Sequence, residues 1–375
     1  MRSPRFRASA SLLIIVSASL ASCAITPEPS APTKQVTTAE PADTTAEPAD
    51  ASPLTCSDLV TPDATVVALI GADGVTPEVT EAVQPSHALE HALLTGAGGL
   101  ACSWRVGTGQ LGIGAEQGDW AYLSVEVLPD AAADWVPPYA GDVPSEEHRT
   151  VGQVEATTSA GETGWRISAP VASAWVDVRV TSSGVITGGS RFENAPLDSV
   201  LDGMMPAAEQ TFAAVKAATT EQLSLPKLTF REDEARCDGG LYQLGIENAL
   251  DLDGASVEYR LLDSRAKTID GLASAVEARI GLFTCELFAE GFGTTEITVV
   301  RDFESTIGQL AAMPDMSSAL EPTVLDGSVD GETAFQARRE DGPRSPVYFT
   351  LGQTLYGVSS DGATTVAEAI IAQTR

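Results

Sequence analysis

The chain has 375 residues, 43% of them apolar, with 22 basic against 52 acidic side chains and a formal net charge of −30. The apolar content is enough for packed cores, and the charge argues against nucleic acid and against lying flat on an anionic membrane. It permits metal ions, basic peptides or neutral ligands without selecting one, and solubility in an exposed compartment accounts for it equally well.

Arg2, Arg5 and Arg7 precede an apolar run from about Ala8 to Ala21, centred on Leu12-Leu13-Ile14-Ile15-Val16. A basic start followed by such a run reads as a signal peptide. It is shorter than the about 20 apolar residues a membrane span needs. Leu20-Ala21-Ser22-Cys23 comes next: a leucine, two small residues and a cysteine. This resembles the lipobox of bacterial lipoproteins, and the resemblance implies removal of residues 1–22 and a diacylglycerol thioether on Cys23. Ala21 and Ser22 would also suit ordinary signal cleavage, with Cys23 then incidental. There is no Arg-Arg pair, so general secretion fits better than twin-arginine export. No later segment is long and apolar enough to span a bilayer, which leaves the lipid as the expected anchor. Two acyl chains are enough for stable attachment.

Composition changes at once after Cys23. Residues 24–53 are mostly Ala, Pro, Thr, Glu and Asp, and Thr37-Thr38-Ala39-Glu40-Pro41-Ala42-Asp43 recurs unchanged as residues 44–50. Low hydrophobicity, frequent Pro and acidic charge predict an extended stalk over 23–53. At 3.1 Å per residue it would reach roughly 90 Å. The Thr/Pro content also allows O-linked sugars.

Four cysteines remain: Cys56, Cys102, Cys237 and Cys285. An even number in an oxidising compartment reads as two disulfides. Spacing favours Cys56–Cys102 and Cys237–Cys285, with 45 and 47 residues between the partners and a much longer gap between the pairs. Neither pair has zinc-knuckle spacing, so no metal is expected.

The remaining signals follow one order twice. Helical patterns, such as Pro62–Ile70 and Ser86–Leu94, lie between the first two cysteines. Strand-like alternation follows each second cysteine, at Tyr122–Val127 and at Glu296–Val300. Gly161-Glu162-Thr163-Gly164-Trp165 matches Gly331-Glu332-Thr333-Ala334-Phe335, and strand signals follow around Ala174–Val180 and Pro346–Thr350. Each half closes on a helical pattern, Pro196–Ala218 and Thr364–Ala372. The expected fold is α+β: two tandem copies, 54–222 and 229–375, of an antiparallel sheet packed against helices. Each copy is a meander of some five strands with a short helix, tied by one disulfide. The first is longer through an insertion around Asp130–Arg149.

A lipobox, a Pro/Thr/Ala stalk and the opening Cys56-Ser57-Asp58-Leu59-Val60-Thr61-Pro62, followed by Cys102-Ser103-Trp104, resemble actinobacterial surface lipoproteins that carry a domain of unknown function. The plentiful Ala, Gly, Asp and Arg suit a GC-rich genome. The likeness covers the first half more fully than the second, where Cys285-Glu286-Leu287 lacks the Trp and Cys237 lacks the Thr-Pro. It implies the address and the disulfide-bonded domain, and it brings no activity.

Motifs for chemistry are sparse. His87 and His91 stand four apart on a predicted helix, as a zinc pair would, but no third ligand is marked. Two solvent-facing histidines explain them as well. Gly188-Gly189-Ser190-Arg191-Phe192 lacks the last glycine of a nucleophile elbow. Ser224-Leu225-Pro226-Lys227 lacks its partner motifs, and Asp251-Leu252-Asp253-Gly254 fails as a calcium loop at both end positions. All five tryptophans fall in the first half. Trp135 sits with Tyr139 in the Pro-rich insertion, where a loop of this kind offers a contact for a glycan, a peptide or an envelope protein. Folding back onto the domain is the other reading.

The sequence therefore leads to a non-catalytic, lipid-anchored envelope protein on the outer face of the membrane, without a cofactor, whose tandem domains bind a ligand or partner. The alternatives are an envelope hydrolase with a carboxylate site, and the substrate-binding component of a transporter.

Overall fold

The computed structural model describes residues 52–84, 87–107, 118–140, 143–223, 246–250, 257–262, 271–289, 293–301, 320–337, 346–360 and 362–375. The signal segment, the lipobox and the stalk lie outside these residues.

Two short helices open the first half, α1 (Cys56–Leu59) and α2 (Pro62–Leu69). Thr61 caps α2, its hydroxyl accepting from Ala64 N–H at 3.4 Å, and Pro62 occupies the first turn, where no N–H is missed. Strand β1 (Thr80–Glu81), helix α3 (Ala88–Gly96) and strands β2 (Leu100–Val106) and β3 (Ala121–Leu128) follow. The segment after β3 holds a small hairpin of β4 (Tyr139–Ala140) and β5 (Val143–Pro144). Strands β6 (His148–Val151), β7 (Val154–Ala160), β8 (Gly164–Val171) and β9 (Ala174–Ser182) complete the sheet. Helix α4 (Leu197–Ala217) then lies across it, and α5 (Thr220–Leu223) ends the half. In α4 the buried residues Val200, Leu201, Met204, Ala207, Ala208, Thr211, Phe212 and Val215 recur at helical spacing and define its core stripe.

The second half contains α6 (Ile246–Ala249), β10 (Val257–Leu262) and α7 (Gly271–Ile280). Strands β11 (Phe283–Ala289), β12 (Gly293–Val300), β13 (Leu320–Pro322), β14 (Ala334–Ala337), β15 (Val347–Leu351) and β16 (Thr354–Ser359) follow, and α8 (Ala363–Thr374) closes it.

Each half forms one seven-stranded antiparallel sheet. The orders are β1-β2-β3-β9-β8-β7-β6 and β10-β11-β12-β16-β15-β14-β13. Strand for strand, these are the same arrangement. The registers correspond as well. Cys102 faces Val125, Val125 faces Val178, and Val178 faces Ile167. Cys285 faces Ile297, Ile297 faces Val358, and Val358 faces Val347. Both α3 and α7 run into their strands through a glycine of positive φ, Gly98 at +82° and Gly281 at +64°.

This arrangement corrects three expectations. The first half carries no insertion around Asp130–Arg149: residues 129–147 between β3 and β6 equal in number residues 301–319 between β12 and β13. Neither sheet is a simple meander of five strands: the chain leaves the third strand, crosses to the far edge and returns to pair last at the centre. In the first half the crossing carries the β4–β5 hairpin, with no helix among its described residues. The match of residues 161–165 with 331–335 also fails. The first leads into β8, next to the central strand, while the second leads into β14, one strand further out. Gly-Glu-Thr marks a hairpin turn, and turn chemistry does not say which hairpin.

The sheets stand among helices. One face of the first sheet packs on α1, α2 and α4 through a core that includes Leu59, Leu69, Leu123, Trp165, Val178 and Met204. One face of the second packs on α6 and α8 through Ile246, Cys285, Ile297, Phe349, Val366 and Ile370. The two remaining faces share α3 and α7. Leu93, Leu94, Leu128 and Trp175 of the first half join Leu272, Val276, Ile280, Val300 and Leu355 of the second in one core. Residues 50–375 form a single compact unit.

Candidate functional site

Cys56 of α1 and Cys102 of β2 form a disulfide, with Cα atoms 5.6 Å apart. It fastens the N-terminal helices to the second strand of the sheet, because the two-residue edge strand β1 comes first. Cys285 is also disulfide-bonded. Its expected partner, Cys237, and the lipidation residue, Cys23, lie outside the described residues, as do the Ser224–Lys227 and Asp251–Gly254 motifs.

The densest cluster of polar chemistry lies on the inner face of the first sheet. Ser168, on β8, is 2% exposed. Its hydroxyl accepts from the indole N–H of Trp135 at 3.1 Å and from that of Trp175 at 3.2 Å. It donates to the carbonyl of Val176 at 3.3 Å. Both lone pairs and the proton are thus engaged, so the group orients two indoles and is not available as a nucleophile. Trp135, the loop residue singled out in the sequence, is half-buried and packs with Val136 against the shared core. Tyr139 is half-buried at the start of β4.

Beside this hub runs a charge network. Arg166 Nε lies 3.0 Å from Asp177 Oδ2, and Arg179 Nη2 lies 3.7 Å from Asp177 and 3.6 Å from Glu126. The four side chains are 13% exposed or less. The pairing follows from register: Arg166 is opposite Arg179, Asp177 is opposite Glu126, and the opposite charges meet diagonally. Such a network gains little net stability over apolar packing, but removing one member leaves a buried charge unmatched. Sequence reasoning missed it. The available signal was Asp177 and Arg179, on the face of Trp175, alternating with Val176, Val178 and Val180 in one strand.

A cavity of about 10 Å³, room for roughly one water, lies between α3 and α7. Glu90, Glu126 and Glu277 line it with Leu93, Leu272 and Val276. Among the described residues no group of three or more His, Cys, Asp or Glu is arranged to hold a metal ion.

The two histidines do not act as a pair on one helix. His87 precedes the first turn of α3 as its N-cap, and His91 lies within the helix. His91 is largely buried, not solvent-facing, and burial holds its pKa down at about 4. No described helix is long and apolar enough to cross a membrane. Comparison with protein-family models, curated proteins and solved structures finds no match.

Proposed function

We propose that the chain is a secreted lipoprotein, held on the outer face of a membrane by lipid on Cys23, whose two-sheet head serves as a non-catalytic partner-binding module. One observation carries the address: a cysteine-bonded head, Cys56–Cys102, follows a chain start that ends in Leu20-Ala21-Ser22-Cys23. Structural disulfides persist in oxidising compartments, and a cysteine after two small residues is the substrate pattern for lipid attachment. The resemblance to actinobacterial surface lipoproteins belongs to the same proposal, as does descent of the two halves from one duplicated domain. Matching strand order and matching register support the duplication.

Contiguity of each sheet in sequence, 80–182 and 257–359, speaks against the transporter-component reading, in which the chain usually passes between lobes more than once. The test of the address is metabolic labelling with a clickable fatty acid in a bacterial host. The wild-type chain is expected to carry label and to fractionate with membranes, and Cys23→Ala is expected to lose both. An unlabelled wild-type chain, or a Cys23→Ala chain that stays with the membrane, would overturn the proposal.

A further inference from the structure

The crossing between β3 and β6 begins at the end of β3, and its first part, residues 130–136, lies on the second half. Gly271 opens α7. A Cβ built there would come within 2.5 Å of Val136 Cγ2 and 2.9 Å of the Trp175 ring, so only the absence of a side chain admits the contact. Arg279, in the last turn of α7, is partly desolvated, and Asp130 and Asp134 favour its charged form. Asp130, Asp134 and Val136 therefore accompany α7 from its last turn to its first, a distance of about 12 Å at 1.5 Å per residue. Trp135 holds this segment to the first sheet through Ser168.

The exchange runs in the other direction too. Ala88 and Ala92 of α3 pack on Leu320 and Ala337 of the second sheet, with Phe335 and Tyr348 at the same contact. Burial pushes the Tyr348 phenol pKa up. Without α3, this face of the second sheet would present Leu320, Phe335, Ala337, Tyr348 and Leu355 to water. A patch of that kind is rare on a free-standing domain.

We propose that residues 130–136 are an intramolecular clasp whose partner is α7, and that together with α3 they make the two halves one cooperative body. The candidate contact loop of the first half thus binds the second half of its own chain. The head does not consist of two independent binding modules. The inference is independent of the lipid anchor.

The test uses the whole head with its disulfides intact, carrying Gly271→Val or Arg279→Glu. All five tryptophans lie in the first half, so their emission follows that half and, through Trp135 and Trp175, its contact with the second, while far-UV circular dichroism weights both halves. In the wild type the two urea transitions are expected to coincide. In the variants they are expected to separate, and amide exchange over 271–280 to rise by at least about tenfold while β8 and β9 stay protected. If Gly271→Val fails to fold, Arg279→Glu decides, because Arg279 is half-buried beside the first half's Asp130 and Asp134 and belongs to neither outer core. Separate transitions in the wild type would overturn the proposal. So would unchanged exchange over 271–280 in a folded Arg279→Glu protein.

Discussion

The Ser168 hydroxyl is small, yet two indoles depend on it. Ser168→Ala would bury the N–H groups of Trp135 and Trp175 without an acceptor, at a cost of about 1–3 kcal/mol for each group left unsatisfied. Urea unfolding followed by tryptophan emission is expected to show a loss in that range, and a loss below about 0.5 kcal/mol would mean that water replaces the serine. His91 gives a second prediction at this scale. Its folded pKa is held down at about 4 from the ordinary 6.5, so between those values the unfolded chain binds more protons. Its contribution is complete above pH 6.5 and is lost as pH falls toward 4. His91→Gln should therefore lose less stability than the wild type between pH 7 and pH 5. Equal losses would show that His91 titrates normally. Neither role was legible in the sequence. One serine in a strand carries no spacing signal, the spacing of His91 from His87 points to a metal pair rather than a buried imidazole, and the surroundings of Ser168 come from segments far along the chain.

Helices were the most legible elements. Thr61-Pro62 announces α2, and the apolar recurrence from Val200 to Val215 announces α4, because capping and amphipathic spacing are local properties. Pro206 lies inside α4 and cannot donate to the carbonyl of Asp202. Pro206→Ala restores that donor and is expected to raise stability by about 1–3 kcal/mol in equilibrium unfolding. A loss instead would mean that the ring itself supports the packing. Strands were legible where they alternate, as in β3 and β9. They were not legible in β1, β4 and β5, which have two residues each and so no period to detect. The inner faces misled for another reason. Polar residues such as Arg166, Asp177 and Arg179 do not mark a solvated face here, because α3, α7 and residues 130–136 cover it.

At the scale of the whole molecule, the α+β class and the Cys56–Cys102 pairing follow from the order of signals and the even cysteine count. The sheet orders do not, because pairing between distant strands leaves no local mark. Those orders bear on how the protein comes to exist. In the first half β9 is the last strand of its sheet, yet it fills the centre beside β3. A chain that emerges with its N-terminus leading must hold β3 with one edge open until residues 174–182 arrive. Long-range closure of this kind is slow, and an apolar strand with an unpaired edge invites other chains. Cys56 and Cys102 both emerge before that interval begins. Their bond can fasten α1 to β2 while the place beside β3 is still empty, so the pair guards an unfinished sheet before it ever steadies a finished one.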